Sequence, residues 1–219
     1  VDQNRDRQFI LTGSSNFLLM EKISQTLAGR TAVLHLLPFA FTELEAGGAL
    51  PNQYESLIFK GQYPRVYDRS LDPTDFYPAY IQTYIEKDVR LMKNIGDMNA
   101  FIRFTQLCAG RTGQLLNYSS LANDAGISPN TAKAWLSILE SSFIVYRLQP
   151  YHKNFNKRLV KSPKLYFYDT GVACSLLGIR EESQVGLHYL KGALFENLVI
   201  NELIKRNFNR GERNFPYFW

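Results

Sequence analysis

Apolar and polar positions along the 219-residue chain change their period after residue 44. Residues 8–13 are a short apolar run closed by Gly13, which predicts a buried strand. Residues 15–28 predict a helix with Phe17, Leu18, Ile23 and Leu27 on one side, closed at Gly29-Arg30. Residues 31–38 predict a second strand, stopped by Pro38. Strand, helix, strand with apolar strands is the pattern of a parallel α/β sheet. Two strands are too few to stand alone, so this piece reads as incomplete.

Helical periods follow. Residues 41–50 and 53–60 predict short helices, and residues 61–65 a loop. Asp72-Pro73 predicts the start of a long helix whose apolar stripe is Phe76, Tyr80, Ile81, Tyr84, Ile85, Val89 and Met92. Residues 97–109 predict another, ended by Gly110, and residues 171–178 a short one. Residues 191–206 predict a strong final helix, with Leu194, Phe195, Leu198, Val199, Ile200 and Leu203 as its apolar positions. Residues 214–219 are aromatic and strand-like.

The most specific pattern lies at residues 119–139. Ala122 lets a second helix pack closely, and Gly126 suits a turn that needs positive φ. Ser128-Pro129 is an N-cap followed by proline at the first helical position. Ala132, Trp135, Leu136 and Leu139 recur at helical spacing and are expected to face inward. Asn130, Thr131, Lys133, Ala134 and Ser137 are left on the outer face. In a DNA-binding helix-turn-helix that face enters the major groove. Residues 143–150 and 164–169 then predict the two strands of a hairpin, a wing beside the helix pair.

Charge sharpens this picture. Between Glu140 and Asp169 there is no acidic residue, while Arg147, Lys153, Lys157, Arg158, Lys161 and Lys164 lie there with Tyr151 and Phe155 interleaved. The chain has 25 basic and 20 acidic side chains, so these six account for the whole excess of +5. A basic wing beside a recognition helix is an electrostatic footprint for the phosphate backbone. A solvated loop that guards an edge strand reads the same way.

Composition excludes several classes. Cys108 and Cys174 lie far apart without metal-ligand spacing, and read as buried free thiols suited to a reducing cytoplasm. No apolar run is long enough for a transmembrane helix. The polar start, residues 1–7, is no signal peptide, and it lacks Met, so the chain is expected to be a fragment or processed form. His35, His152 and His188 fall on a strand, a basic loop and a helix start, an arrangement that builds no catalytic triad.

One series of short pieces spans nearly the whole chain in order: residues 9–15 (FILTGSS), 27–30 (LAGR), 37–44 (LPFAFTEL), 61–65 (GQYPR), 84–89 (YIEKDV), 161–171 (KSPKLYFYDTG) and 192–197 (GALFEN). In this series the chain resembles a bacterial and archaeal family of AAA-type P-loop ATPases in which a further domain follows the ATPase core. The resemblance implies a nucleotide-sensing polar residue at Thr12 or Ser14 and an arginine finger at Arg30. Arg30 equally suits a cation at a helix C-terminus. It also implies ATP and Mg²⁺ for a longer parent. This chain contains no Gly-x-x-x-x-Gly-Lys-Ser/Thr, so no cofactor is expected in it. The family's far end often resembles a restriction-endonuclease fold, where Glu196 would be a first metal-binding carboxylate. No later Asp or Glu-x-Lys follows, so a helix-surface glutamate is the simpler reading.

The expected architecture is mixed α/β and mainly helical: an incomplete parallel α/β ATPase-core fragment at 1–44, a helical region at 45–95, a winged helix-turn-helix at 96–180 and a terminal helix with a strand-like end at 181–219. The expected DNA contacts are Asn130, Thr131, Lys133, Ser137, Lys153, Lys157, Arg158, Lys161 and Lys164. Double-stranded DNA and a second copy of the chain, in a homo-oligomer, are the expected partners, with no membrane involved. The alternative is a winged helix that docks a protein or a second subunit. Neither reading makes this stretch an enzyme.

Overall fold

The computed structural model describes residues 10, 32–84, 95–154, 161–212 and 215–219. The chain divides into two compact units, Val1–Ala32 and Val33–Trp219. Apart from Ile10, the expected strand at 8–13 and helix at 15–28 fall outside the described residues. The second unit is mixed α/β and mostly helical. It opens with four helices, α1 (Phe41–Ala46), α2 (Tyr54–Lys60), α3 (Pro64–Asp68) and α4 (Pro73–Tyr84). Next come α5 (Met98–Ala109), α6 (Tyr118–Ala125), α7 (Pro129–Ser141) and the strands β1 (Val145–Pro150) and β2 (Lys164–Phe167). The chain closes with α8 (Thr170–Leu176), α9 (Glu182–Leu187), α10 (Lys191–Asn209) and β3 (Tyr217–Phe218).

Local signals set most helix starts. Asp97, Asn117, Ser128 and Asp169 each accept a hydrogen bond from the backbone N–H three residues on, which satisfies one of the orphan donors of a first helical turn. Gly126 ends α6 in the left-handed region at φ 70°, as the turn requires. Two expectations need correction. Residues 61–65 were expected to be a loop, but Pro64 starts the short α3, because proline is preset for the first helical position. Residues 32–38 form no strand. Leu34 and Leu36 are exposed there, and Val33, His35 and Leu37 are half-buried. At the end of the segment the Phe39 N–H donates to the Gln62 carbonyl.

β1 pairs antiparallel with β2, Val145 opposite Phe167 and Leu148 opposite Lys164, while β3 runs parallel to β1. The outer edge of β2 is covered by residues 113–116: Gly113 N–H donates to Leu165 O at 2.8 Å and Leu165 N–H to Gln114 O at 3.1 Å. The main core lies among α2, α5–α8 and the inner face of the hairpin. Trp135 of α7 sets its ring edge-on to Phe101 and Phe104, 5.3 and 5.6 Å between centroids. A second cluster joins Tyr146, Tyr166, Tyr168 and Ile204 with Leu37, Phe208 and Phe215.

α4 adds Tyr77 to the core-facing stripe that its spacing predicts, and α10 buries a face other than the predicted one. In α4 the fully buried residue is Tyr77, at 1 % exposure, while Phe76, Tyr80 and Ile81 are only partly covered. Tyr77 fills the space beside Gly61 and Gly171, where any Cβ would overlap it. In α10, Leu194 and Leu198 are buried as expected, but Phe195, Val199 and Leu203 are 43–47 % exposed. Asn197, Asn201 and Lys205 are buried instead. Each of those three is held by hydrogen bonds, and burial of polar groups is tolerated only on that condition.

Candidate nucleic-acid interface

The outer face of α7 is largely exposed. Asn130, Lys133 and Ser137 are exposed, and Ala132, Trp135, Leu136 and Leu139 face the core. This division follows from the 3.6-residue period, since positions 132, 135, 136 and 139 form one stripe. Thr131 is half-buried and its hydroxyl lies 2.8 Å from the Ser128 hydroxyl, so it belongs to the helix cap. Ser137 donates its hydroxyl proton to the Lys133 carbonyl at 3.0 Å, which leaves its oxygen only as an acceptor.

Tyr118 sits between α7 and β1. The Lys133 ammonium lies 5.6 Å from the centre of its ring, and the Arg147 guanidinium donates to its hydroxyl at 3.2 Å. Burial pushes the Tyr118 hydroxyl above its ordinary range, and Arg147 counteracts the shift. Arg147 is also ion-paired to Glu140. That carboxylate raises the guanidinium's pKa against the opposing effect of desolvation. At the foot of α6, Arg111 pairs with Asp124 and donates to the Ser120 hydroxyl at 3.0 Å.

The six cations of the acid-free interval therefore do not act alike. Arg147 is neutralised by Glu140. Lys164 donates to Glu196 Oε1 at 2.9 Å, and the same oxygen accepts the Tyr166 hydroxyl at 2.7 Å. Lys164 also lies over the Phe218 ring, 5.4 Å from its centre. Lys153 and Lys161 are exposed. Lys157 and Arg158 lie outside the described residues, as do Thr12, Ser14 and Arg30. Sequence spacing could not show the pairing of Lys164, because its partner is 32 residues away on α10. Glu196 is a surface-edge carboxylate in a salt bridge, and among the described residues no group of acidic, histidine or cysteine side chains could hold a metal.

A different set of sequence-marked residues converges below this surface. Asp169 is fully buried and accepts from the Gln62 N–H at 2.7 Å and the Val172 N–H at 3.1 Å. Tyr77 donates to the Lys60 carbonyl at 2.7 Å. Lys205, at 1 % exposure, donates to the Phe39 carbonyl at 2.8 Å, to the Gln62 side-chain oxygen and to Glu202 at 3.3 Å. Burial raises the Asp169 pKa and lowers that of Lys205, each partly offset by the other's charge. The GQYPR and YDTG pieces thus meet in a structural knot of caps and close glycine approaches. Cys108 and Cys174 are buried free thiols pushed far above their ordinary range by desolvation, which makes them poor nucleophiles.

Residues 51–183, more than half of the chain and including α5, α6, α7 and the hairpin, match the family described as "Domain of unknown function (DUF8612)". The chain belongs to this family. Residues 1–45 match the AAA domain, which relates the chain to ATPases. It is similar to the uncharacterized proteins Mb2031c of Mycobacterium bovis and Rv2008c of Mycobacterium tuberculosis, each 27 % identical over 198 residues. Those alignments cover 90 % of this chain and 44 % of each relative. An uncharacterized protein of Haemophilus influenzae is 23 % identical over 214 residues, 91 % of this chain and 52 % of its own length. The chain spans about half the length of the curated relatives it matches. No solved structure matches it significantly. The DUF8612 match starts after α1, yet residues 39–41 are bonded to Gln62, Lys205 and Glu202 within the second unit. Among the described residues no helix is long and apolar enough to cross a membrane.

Proposed function

We propose that residues 98–167 are a winged helix that binds double-stranded nucleic acid in an ATPase-related protein. The observation that carries this reading is the free outer face of α7, where Asn130 and Lys133 are exposed. The support is the element order: helix, bridged segment, helix, glycine turn, helix, hairpin. In this reading Asn130 and Lys133 reach base edges, an amide suiting adenine and an ammonium suiting guanine. Lys153 and Lys161, with Lys157 and Arg158 between them, hold phosphates. Thr131 caps the helix, and Lys164 and Arg147 support the wing through their carboxylates. The parent's ATP and Mg²⁺ belong to residues outside this chain, with Arg30 serving a neighbouring subunit's nucleotide and Thr12 or Ser14 sensing it. The isolated chain then hydrolyses no ATP and binds none tightly, which calorimetry tests.

Duplex affinity measured across a salt series tests the main reading. Lys157→Ala with Arg158→Ala should weaken binding to all sequences and flatten the slope of log affinity against log salt by about 0.9 for each phosphate no longer neutralised. Asn130→Ala should change sequence preference instead. Salt-independent association, unchanged in the double variant, overturns the reading in favour of protein docking.

A further inference from the structure

The buried polar residues of α10 form a row one helical turn apart: Asn197, Asn201 and Lys205. At one end, Asn197 makes a two-point clamp on β2. Its Oδ1 accepts the Phe167 N–H at 2.9 Å and its Nδ2 donates to the Phe167 carbonyl at 2.7 Å. A neighbouring strand would make the same bonds, so the side chain completes the β2 edge just beyond the stretch that residues 113–116 cover. In the middle, Asn201 accepts the Tyr146 hydroxyl at 2.9 Å and donates to the Tyr168 carbonyl at 3.1 Å. Asn197 and Asn201 are joined directly at 3.1 Å.

The other end of the row holds a different part of the chain. Lys205 donates to the Phe39 carbonyl, and Glu202, three residues before it, accepts the Phe41 N–H at 2.7 Å. Gln62 locks both, donating to Glu202 at 2.8 Å and accepting from Lys205. The Phe39–Phe41 backbone lies within the AAA match, and the Phe167–Tyr168 backbone lies at the base of the wing. One helix therefore grips both by directional hydrogen bonds that are buried or partly buried. Apolar contacts let surfaces slide, but such bonds weaken steeply with misalignment, and leaving one unmade is costly.

We propose that α10 is a coupling rod, whose row Asn197–Asn201–Lys205 makes the seating of the Phe39–Phe41 segment and that of the β1–β2 hairpin depend on each other. Its use, to report the state of an ATPase core to a nucleic-acid-binding wing, rests on the function proposed above. The coupling itself does not, and it is measurable in this chain without nucleotide or DNA.

Amide hydrogen exchange on the 219-residue chain tests it. Lys205→Met should lower protection about tenfold or more at residues 39–41 and also at Phe167 and Tyr168, while the interior amides of α7 keep theirs. Coupling is reciprocal, so Asn197→Leu should lower protection at residues 39–41. If Lys205→Met does not fold, Glu202→Gln weakens the same end while leaving the lysine in place, and the same remote loss at Phe167 is required. Loss confined to the mutated end overturns the proposal, as does a uniform loss that includes α7. If the coupling holds but full-length protein lacks ATPase activity, the rod stands and only its use is refuted.

Discussion

The α6–α7 pair and α10 are both amphipathic helical segments packed on one core, but α10 buries a polar row beside its apolar side chains. On α7 the apolar stripe faces in and the polar stripe faces out. On α10 the ridge of Phe195, Val199 and Leu203 is half-exposed, while Asn197, Asn201 and Lys205 are buried. The difference lies in what each helix packs against. α7 meets rings and aliphatic groups, Phe101, Phe104 and Ala122, which ask only for area. α10 meets open backbone at Phe167, Tyr168 and Phe39, which asks for donors and acceptors. Hydrophobic periodicity reports the first kind of partner and is blind to the second.

High pH should attack the α10 side first, with the largest effect. Tyr77 and Tyr146 are buried and held well above the ordinary value of 10.0, chiefly by desolvation, and Tyr168 follows the same cause. A raised folded pKa keeps the proton on in the folded state after the unfolded chain has lost it. The stabilisation is thus complete below about pH 10 and is lost as pH rises above it, by roughly 1.4 kcal/mol per pH unit for each such tyrosine. Urea midpoints at a series of alkaline pH values measure the slope. A flat profile between neutrality and strong alkali would show that these hydroxyls are not sealed.

The glycines come next. Gly171→Ala places a methyl group in the ring of the buried Tyr77 and should cost about 1–3 kcal/mol or more. Ser128→Ala on the other side removes one cap bond and should cost about 1 kcal/mol. Denaturant midpoints of the two variants compare the regions directly; equal losses would mean that the Tyr77 pocket yields more readily than its packing indicates. Smallest of all, Asn130→Ala and Lys133→Ala should each change stability by no more than about 0.5 kcal/mol, since neither side chain is buried. A larger loss in thermal unfolding would show that this face is part of the fold and not a free surface.

The helix pair was legible because its determinants are contiguous. Ser128, Pro129 and Gly126 act on their own neighbours, and the stripe from Ala132 to Leu139 is read from spacing alone. The hairpin was legible from its strands, and an acid-free basic interval is visible without coordinates. What that charge amounts to was not, because Glu140 and Glu196 lie outside the interval and reach Arg147 and Lys164 only in three dimensions. The expected strand at 31–38 is not seen over the described residues 32–38, although exposed and half-buried positions alternate there as the spacing predicts.

Sequence alone determined the starts of α4 and α7, the turn at Gly126, the outward face of α7 and the resemblance to an ATPase family. These rest on interactions within a few residues, where spacing is geometry. The tertiary structure decided which face of α10 is buried, why Tyr77 needs Gly61 and Gly171, and which cations of the acid-free interval are paired. Those outcomes depend on backbone groups and charges that only folding brings together, some of them more than 160 residues apart. A one-dimensional pattern carries the identity of such groups but not their meeting, and a buried asparagine or lysine is stable only where that meeting occurs.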